Sequence, residues 1–282
     1  MRKFFLSLAA TVLALTPSQL LASEGEHHGL PLYAQRIWDN VPITNAMLMS
    51  WLAAICVIIF AKVATRQISL VPAGIQNFAE WLVESLYNFL EGVLGSHLVK
   101  RTFWFFGGVF ILILATSWIG LIPGVGTFFV NGKALLRGGN TDLNMTFALS
   151  IIFFILWTYW AITENGFIGF LAHIFAPKGK FNGFMKIFMI VIFFVVGVIE
   201  VFGIFIRPIA LSLRLFGNTY AGENMLETMM NLVPKQISFL PALPFYFLEL
   251  LVGLIQALVF MLLTSVFLKL ICSHDEHHEE AH

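Results

Sequence analysis

Glu200, Arg207, Arg214, Asn218, Glu223, Glu249 and Gln256 all interrupt long apolar runs in this 282-residue chain. Ionisable groups inside hydrocarbon are costly and mark ion or substrate paths. Carboxylates there can take up and release protons, and amides can hold water or orient a neighbour. An arginine supplies a positive charge that proteins do not deprotonate. This is transfer chemistry without bond-breaking machinery. The sequence offers no nucleophile and base at suitable spacing, and no glycine loop that would cradle a phosphate.

Helical periodicity sorts these residues by face. At about 100° per residue with Arg214 as zero, Arg207 falls at about +20° and Glu200 and Asn218 at about +40°. Gly203 and Ala221 fall at about −20°, Ala210 at about −40° and Gly217 at about −60°. One face therefore carries charge among small residues, which allow another helix to approach closely. Glu223 lies on the opposite face, at about 180°, with Glu227 a turn further along. On the last helix Glu249, Gln256 and Phe260 fall within about 40° of one another. Acids can thus line a path inside a helical hairpin while Arg214 looks outward. Arg214 has no acid at i±3 or i±4. Arg207, beside Pro208, has Glu200 two turns away and is expected to pair with it. Glu227, near a helix end, reads as solvated.

The elements that must position these groups belong to a bilayer protein. The chain is 59% hydrophobic, 15% aromatic and 11% charged, with 30 Phe, whereas soluble domains carry about 25% charged residues. Sixteen Lys and Arg cancel sixteen Asp and Glu, leaving no basic excess to bind nucleic acid. Apolar stretches near 45–65, 102–122, 143–163, 187–232 and 236–272 are each long enough to cross about 30 Å of hydrocarbon. Between the first two, Phe78, Trp81, Leu82, Leu86, Leu90 and Val93 recur at helical spacing against Asn77, Glu80, Glu84, Asn88 and Glu91, as in a helix on the membrane surface. The last two stretches are too long to stand upright. The expected fold is an all-α polytopic membrane protein with about five membrane helices plus a surface amphipathic helix, ending in a long tilted hairpin over 187–272.

Residues 1–22 have the layout of a secretory signal peptide: Arg2 and Lys3, a short apolar core, and a small residue at Ala22. Residues 23–44 then form a periplasmic segment, 45–272 the membrane domain and 273–282 a cytoplasmic charged tail. The positive-inside bias of Lys62, Arg66, Lys100, Arg101, Lys178, Lys180, Lys186 and Lys269 agrees with that orientation, with Arg36, Lys133, Arg137 and Lys235 outside. The tail contains H-E-x-x-H at His278–His282, but it lacks the packed helix and third ligand that a zinc site needs. No metal or other cofactor is expected. Cys56 and Cys272 read as small hydrophobes.

The run Arg207-Pro208-Ile209-Ala210-Leu211-Ser212-Leu213-Arg214-Leu215-Phe216-Gly217-Asn218-Thr219-Tyr220-Ala221-Gly222-Glu223 resembles the signature of subunit a of the F-type ATP synthase membrane sector. Val71–Asn77, Ile119–Gly124, Thr141–Thr146 and Leu254–Phe260 extend the resemblance over most of the chain. The resemblance implies a non-catalytic stator subunit that translocates ions, protons in the first instance, through two offset half-channels. Its implied partners are a ring of c subunits, the peripheral-stalk b subunits, the other synthase subunits and the lipid bilayer, in a bacterial inner membrane. It also implies roles for individual residues: Arg214 faces the ring carboxylates and prevents an ion short-circuit, Glu223, Glu249, Asn218 and Gln256 fall on positions associated with the aqueous half-channels, and Glu200 on a polar position towards the other access path. Family members often carry His at one of the two positions held here by Glu223 and Glu249, and Asn where Trp118 stands. A secondary transporter with a midplane site is the rival reading, although such folds commonly show repeated halves and none is visible here.

Overall fold

A computed structural model describes residues 34–37, 43–66, 68–69, 71–122, 125, 129–130, 133–175, 184–232, 234, 237 and 239–272. The expected signal peptide and the H-E-x-x-H tail lie outside the described residues. Six α-helices follow in order: α1 Asn45–Ala64, α2 Ile75–Leu94, α3 Ser96–Gly120, α4 Leu143–Phe175, α5 Phe184–Asn231 and α6 Phe239–Cys272. Between α3 and α4 the chain forms a two-residue antiparallel ladder, β1 Phe129–Val130 on β2 Lys133–Ala134, and a 3-10 turn at Gly139–Thr141. The fold is that of an all-α polytopic membrane protein.

Among the described residues, five helices are long and apolar enough to cross a membrane, over Asn45–Ala64, Ser96–Gly120, Leu143–Glu164, Ile192–Asn231 and Phe239–Cys272. The second begins six residues before the apolar stretch at 102, because the backbone ladder continues through Lys100 and Arg101 where hydropathy falls. Within α4, Gly166 adopts φ 71° and ψ 162°, so two helices meet there at a kink. Just before the kink, Glu164 pairs with Arg101 at the start of α3.

The 48 residues of α5 run through Pro208 without a break. Proline removes one backbone donor, a defect that membrane helices tolerate when neighbouring groups compensate. At 1.5 Å per residue α5 measures about 72 Å, so it must cross a hydrocarbon core of about 30 Å obliquely. Helix α6, with 34 residues and Pro244 in its second turn, packs along it.

Rings fill the centre. Phe105 of α3 meets Trp160 edge-on at 5.8 Å and stacks on Phe153 at 6.4 Å. Phe106, Phe110, Leu215, Phe260, Met261 and Leu268 close the cluster. Lipid is as apolar as these side chains, so the cluster holds the helices by close packing and not by exclusion from water. The apolar stripe of α2 divides. Leu86, Leu90 and Leu94 enter this core, whereas Phe78 and Trp81 stay exposed, with Phe78 meeting Phe60 of α1. Polar cross-links also join the helices: the Trp157 indole donates to the Phe267 carbonyl at 3.1 Å, and the Trp118 indole donates to the Leu250 carbonyl at 3.1 Å. Trp118 therefore ties α3 to α6.

Candidate ion path

Helix α5 presents two polar faces, as its periodicity requires. Arg214 and Asn218 are exposed on one, and Glu223 turns inward towards α3 and α6. A cleft of about 360 Å³, its open mouth included, lies where α3, α5, α6 and the segment before the 3-10 turn converge. Glu223, Glu249, Asn218 and Gln256 all line it, together with Thr116, Ser117, Gly138 and Thr219. Four of the six candidate residues thus meet at one cleft, although they come from two helices.

The cleft reaches the outward face through Asn218, whose amide donates to Gln256 Oε1 at 2.8 Å. Asn218 is exposed and one turn from Arg214, whereas Gln256 is buried. This hydrogen bond therefore joins the cleft to the face that carries Arg214.

Glu200 does not join the cleft. It is half-buried, 14 positions before Arg214 and hence about 21 Å along the helix axis in the opposite direction from Glu223. Arg207 departs from its expected pairing: its guanidinium sits over the Phe267 ring, 4.6 Å from the centroid, and no Arg207–Glu200 ion pair occurs among the described contacts. The α6 ring lies beside Arg207, while Glu200 is two turns away on the same helix; a cation over an aromatic face also satisfies the charge. Phe153, Trp157 and Pro208 enclose the same spot in a small aromatic pocket. Glu227 is half-buried instead of solvated.

Both acids of the cleft lie on glycine backbone. A Cβ added at Gly138 would overlap the Glu223 carboxyl, and one added at Gly222 would overlap that of Glu249. Gly222→Ala should therefore push the Glu249 carboxyl aside without unfolding α5, since the far end of a side chain yields more easily than a backbone. The expected result is a fall of about tenfold in ion flux, equivalent to about 1.4 kcal/mol, with the chain still recovered from the membrane. Flux measurement on membranes from the variant checks it.

Sequence reasoning placed Arg137 among external loop charges, but it is 4% exposed. Its Nε lies 3.9 Å from Glu223 Oε2 and its guanidinium 5.8 Å from the Tyr220 ring centroid. Hydropathy cannot reveal such a residue, because the segment is polar and only tertiary packing buries it. The neighbouring Thr141–Thr146 motif was the one nearby signal.

Five membrane-length helices, a cleft walled by two acids and two amides, and an exposed arginine beyond it define a polytopic membrane protein with the parts of an ion path. The family model for the ATP synthase A chain matches residues 47–269. Among curated relatives, the ATP synthase subunit a of Gloeobacter violaceus is 29% identical over 245 residues, covering 86% of this chain and 90% of that protein. ATP synthase subunit a 1 of Pelobacter propionicus and ATP synthase subunit a of Geobacter sulfurreducens are each 33% identical over 225 residues, covering 80% of this chain and 86% of each relative. The chain belongs to the ATP synthase A chain family.

Proposed function

We propose that this chain is the proton-translocating stator subunit of a rotary F-type ATP synthase in a bacterial inner membrane. Arg214 faces a ring of c subunits between two offset half-channels. The observation that carries this reading is the order along α5: the cleft at Asn218 and Glu223 on one side of Arg214, Glu200 on the other, and Asn218 linking the cleft to the arginine's face.

A ring carboxylate takes a proton from one half-channel, travels through lipid in neutral form, and releases it into the other. Neutrality is required because an ionised carboxylate in hydrocarbon carries a large desolvation cost. At the interface Arg214 favours the ionised form. It also blocks direct hopping between half-channels, since it does not give up its own proton. In this reading the cleft is the periplasmic access path and the Glu200 side the cytoplasmic one. Residues 1–22 are removed as a signal peptide, 23–44 are periplasmic, and the chain ends in the cytoplasm. Peripheral-stalk b subunits hold the chain against the torque of the ring, and nucleotide chemistry belongs to other subunits.

The test is ATP-driven pumping by inverted vesicles containing the whole complex, in medium with and without Na+. Acidification independent of Na+ and collapsed by a protonophore is expected; pumping only with Na+ would replace the proton by sodium. Copurification with a ring of a small hairpin proteolipid separates the stator reading from a self-sufficient transporter, which would purify alone.

A further inference from the structure

Arg137 reaches Glu223 from outside the two helices that carry the path. Its segment is fixed on both sides. Asn140 donates to Ser117 Oγ at 2.9 Å and accepts from Thr116 Oγ1 at 3.2 Å, which binds the segment to α3. The Asp142 carboxylate accepts from the Asn144 backbone at 3.0 Å and caps α4. The guanidinium so held spans Tyr220 and Glu223, which lie three positions apart and so on one side of α5.

The charges around Glu223 explain why a buried cation belongs there. Helix α6 brings Glu249 to the same cleft, α3 brings only the hydroxyls of Thr116 and Ser117, and Arg214 looks out from the other side of α5. Two carboxyl groups facing one cleft repel each other when both are ionised. A buried guanidinium is itself costly unless an acid faces it. Arg137 stands behind Glu223 at 3.9 Å and is not part of the cleft wall.

We propose that Arg137 is a positioning residue for proton transfer: with Glu223 Oε1 against Gly138, the guanidinium faces Oε2 and holds the carboxyl in one orientation beside the cleft. The inference rests on the reading of the cleft as a proton path. Arg137 acts through Glu223 and carries no proton itself.

The test is passive proton flux in membrane vesicles containing the complete membrane sector, with the catalytic head stripped off and a potential imposed. Arg137→Gln should lower the flux about tenfold, Arg137→Lys should stay within about threefold of wild type, and Arg137→Gln should cause no further loss in a Glu223→Gln background, because contacting residues are non-additive. Wild-type flux in Arg137→Gln, or an equal additional loss in the Glu223→Gln background, overturns the proposal. If glutamine prevents assembly, lysine decides: whatever loss it shows must vanish when Glu223 is Gln, and a loss that persists there overturns the role. Wild-type flux in Glu223→Gln alone would sink the reading of the cleft; loss in Glu223→Gln with wild-type flux in Arg137→Gln would sink only the part given to Arg137.

Discussion

Arg214→Ala should abolish ATP synthesis while the ring and the other subunits still copurify with the chain. The side chain is exposed on α5, has no acid at i±3 or i±4, and forms no ion pair among the described residues. Removing it therefore disturbs little within this chain, so the complex should assemble. In the proposed mechanism its loss falls on the ring of c subunits. A nearby guanidinium can shift a carboxylate's equilibrium towards the ionised form by a factor of about 10 to 1,000. Without it, ring sites hold their protons at the interface, and nothing fixed and positive separates the two half-channels. Synthesis should drop below detection, and stripped membranes should leak protons without turning the ring. Coupled synthesis at the wild-type rate in membranes carrying the variant would remove Arg214 from the mechanism.

The second large effect belongs to the two acids together. In Glu223→Gln/Glu249→Gln the cleft keeps its shape and its hydrogen-bonding capacity, because glutamine is close in size to glutamate, but it loses both groups able to exchange protons. Each single replacement leaves one acid on the same cleft, so each single should lose about tenfold, equivalent to about 1.4 kcal/mol. The double variant should lose about a hundredfold, equivalent to about 2.7 kcal/mol. Passive flux in head-stripped vesicles measures this directly. A double variant that conducts as well as either single would place the path elsewhere.

These effects differ in how far the sequence announced them. A charge inside an apolar run is conspicuous, and a turn of about 100° per residue is enough to put Arg214 and Glu223 on opposite sides of one helix. Glu249 and Gln256 were placed on one side of the next helix by the same arithmetic. That the two sets meet at one cleft depends on how α5 and α6 pack, and helical phase within each helix constrained it strongly. Arg207 shows where such reasoning stops. Its neighbours along α5 suggested Glu200, but the aromatic face of Phe267 comes from another helix and took its place. Arg137 lies further beyond reach, in a polar connection where one more basic residue carries no signal until the connection folds back onto α5. The uninterrupted course of α5 through Pro208 depends on compensation for a missing donor, which comes from surroundings that sequence does not show.

Asn218 links the cleft to the face that carries Arg214, and in the proposed path protons pass beside it. The direct measurement uses a chain whose Cys56 and Cys272 are both replaced by alanine and in which Asn218→Cys supplies a thiol. Silver ion is a small thiophilic cation, and its effect on passive proton flux is read in head-stripped vesicles. Leu213→Cys, on an exposed apolar part of the same helix, serves as the control. Silver should block flux through the Asn218→Cys variant and leave the Leu213→Cys variant conducting. Flux through Asn218→Cys that silver does not change would contradict this path.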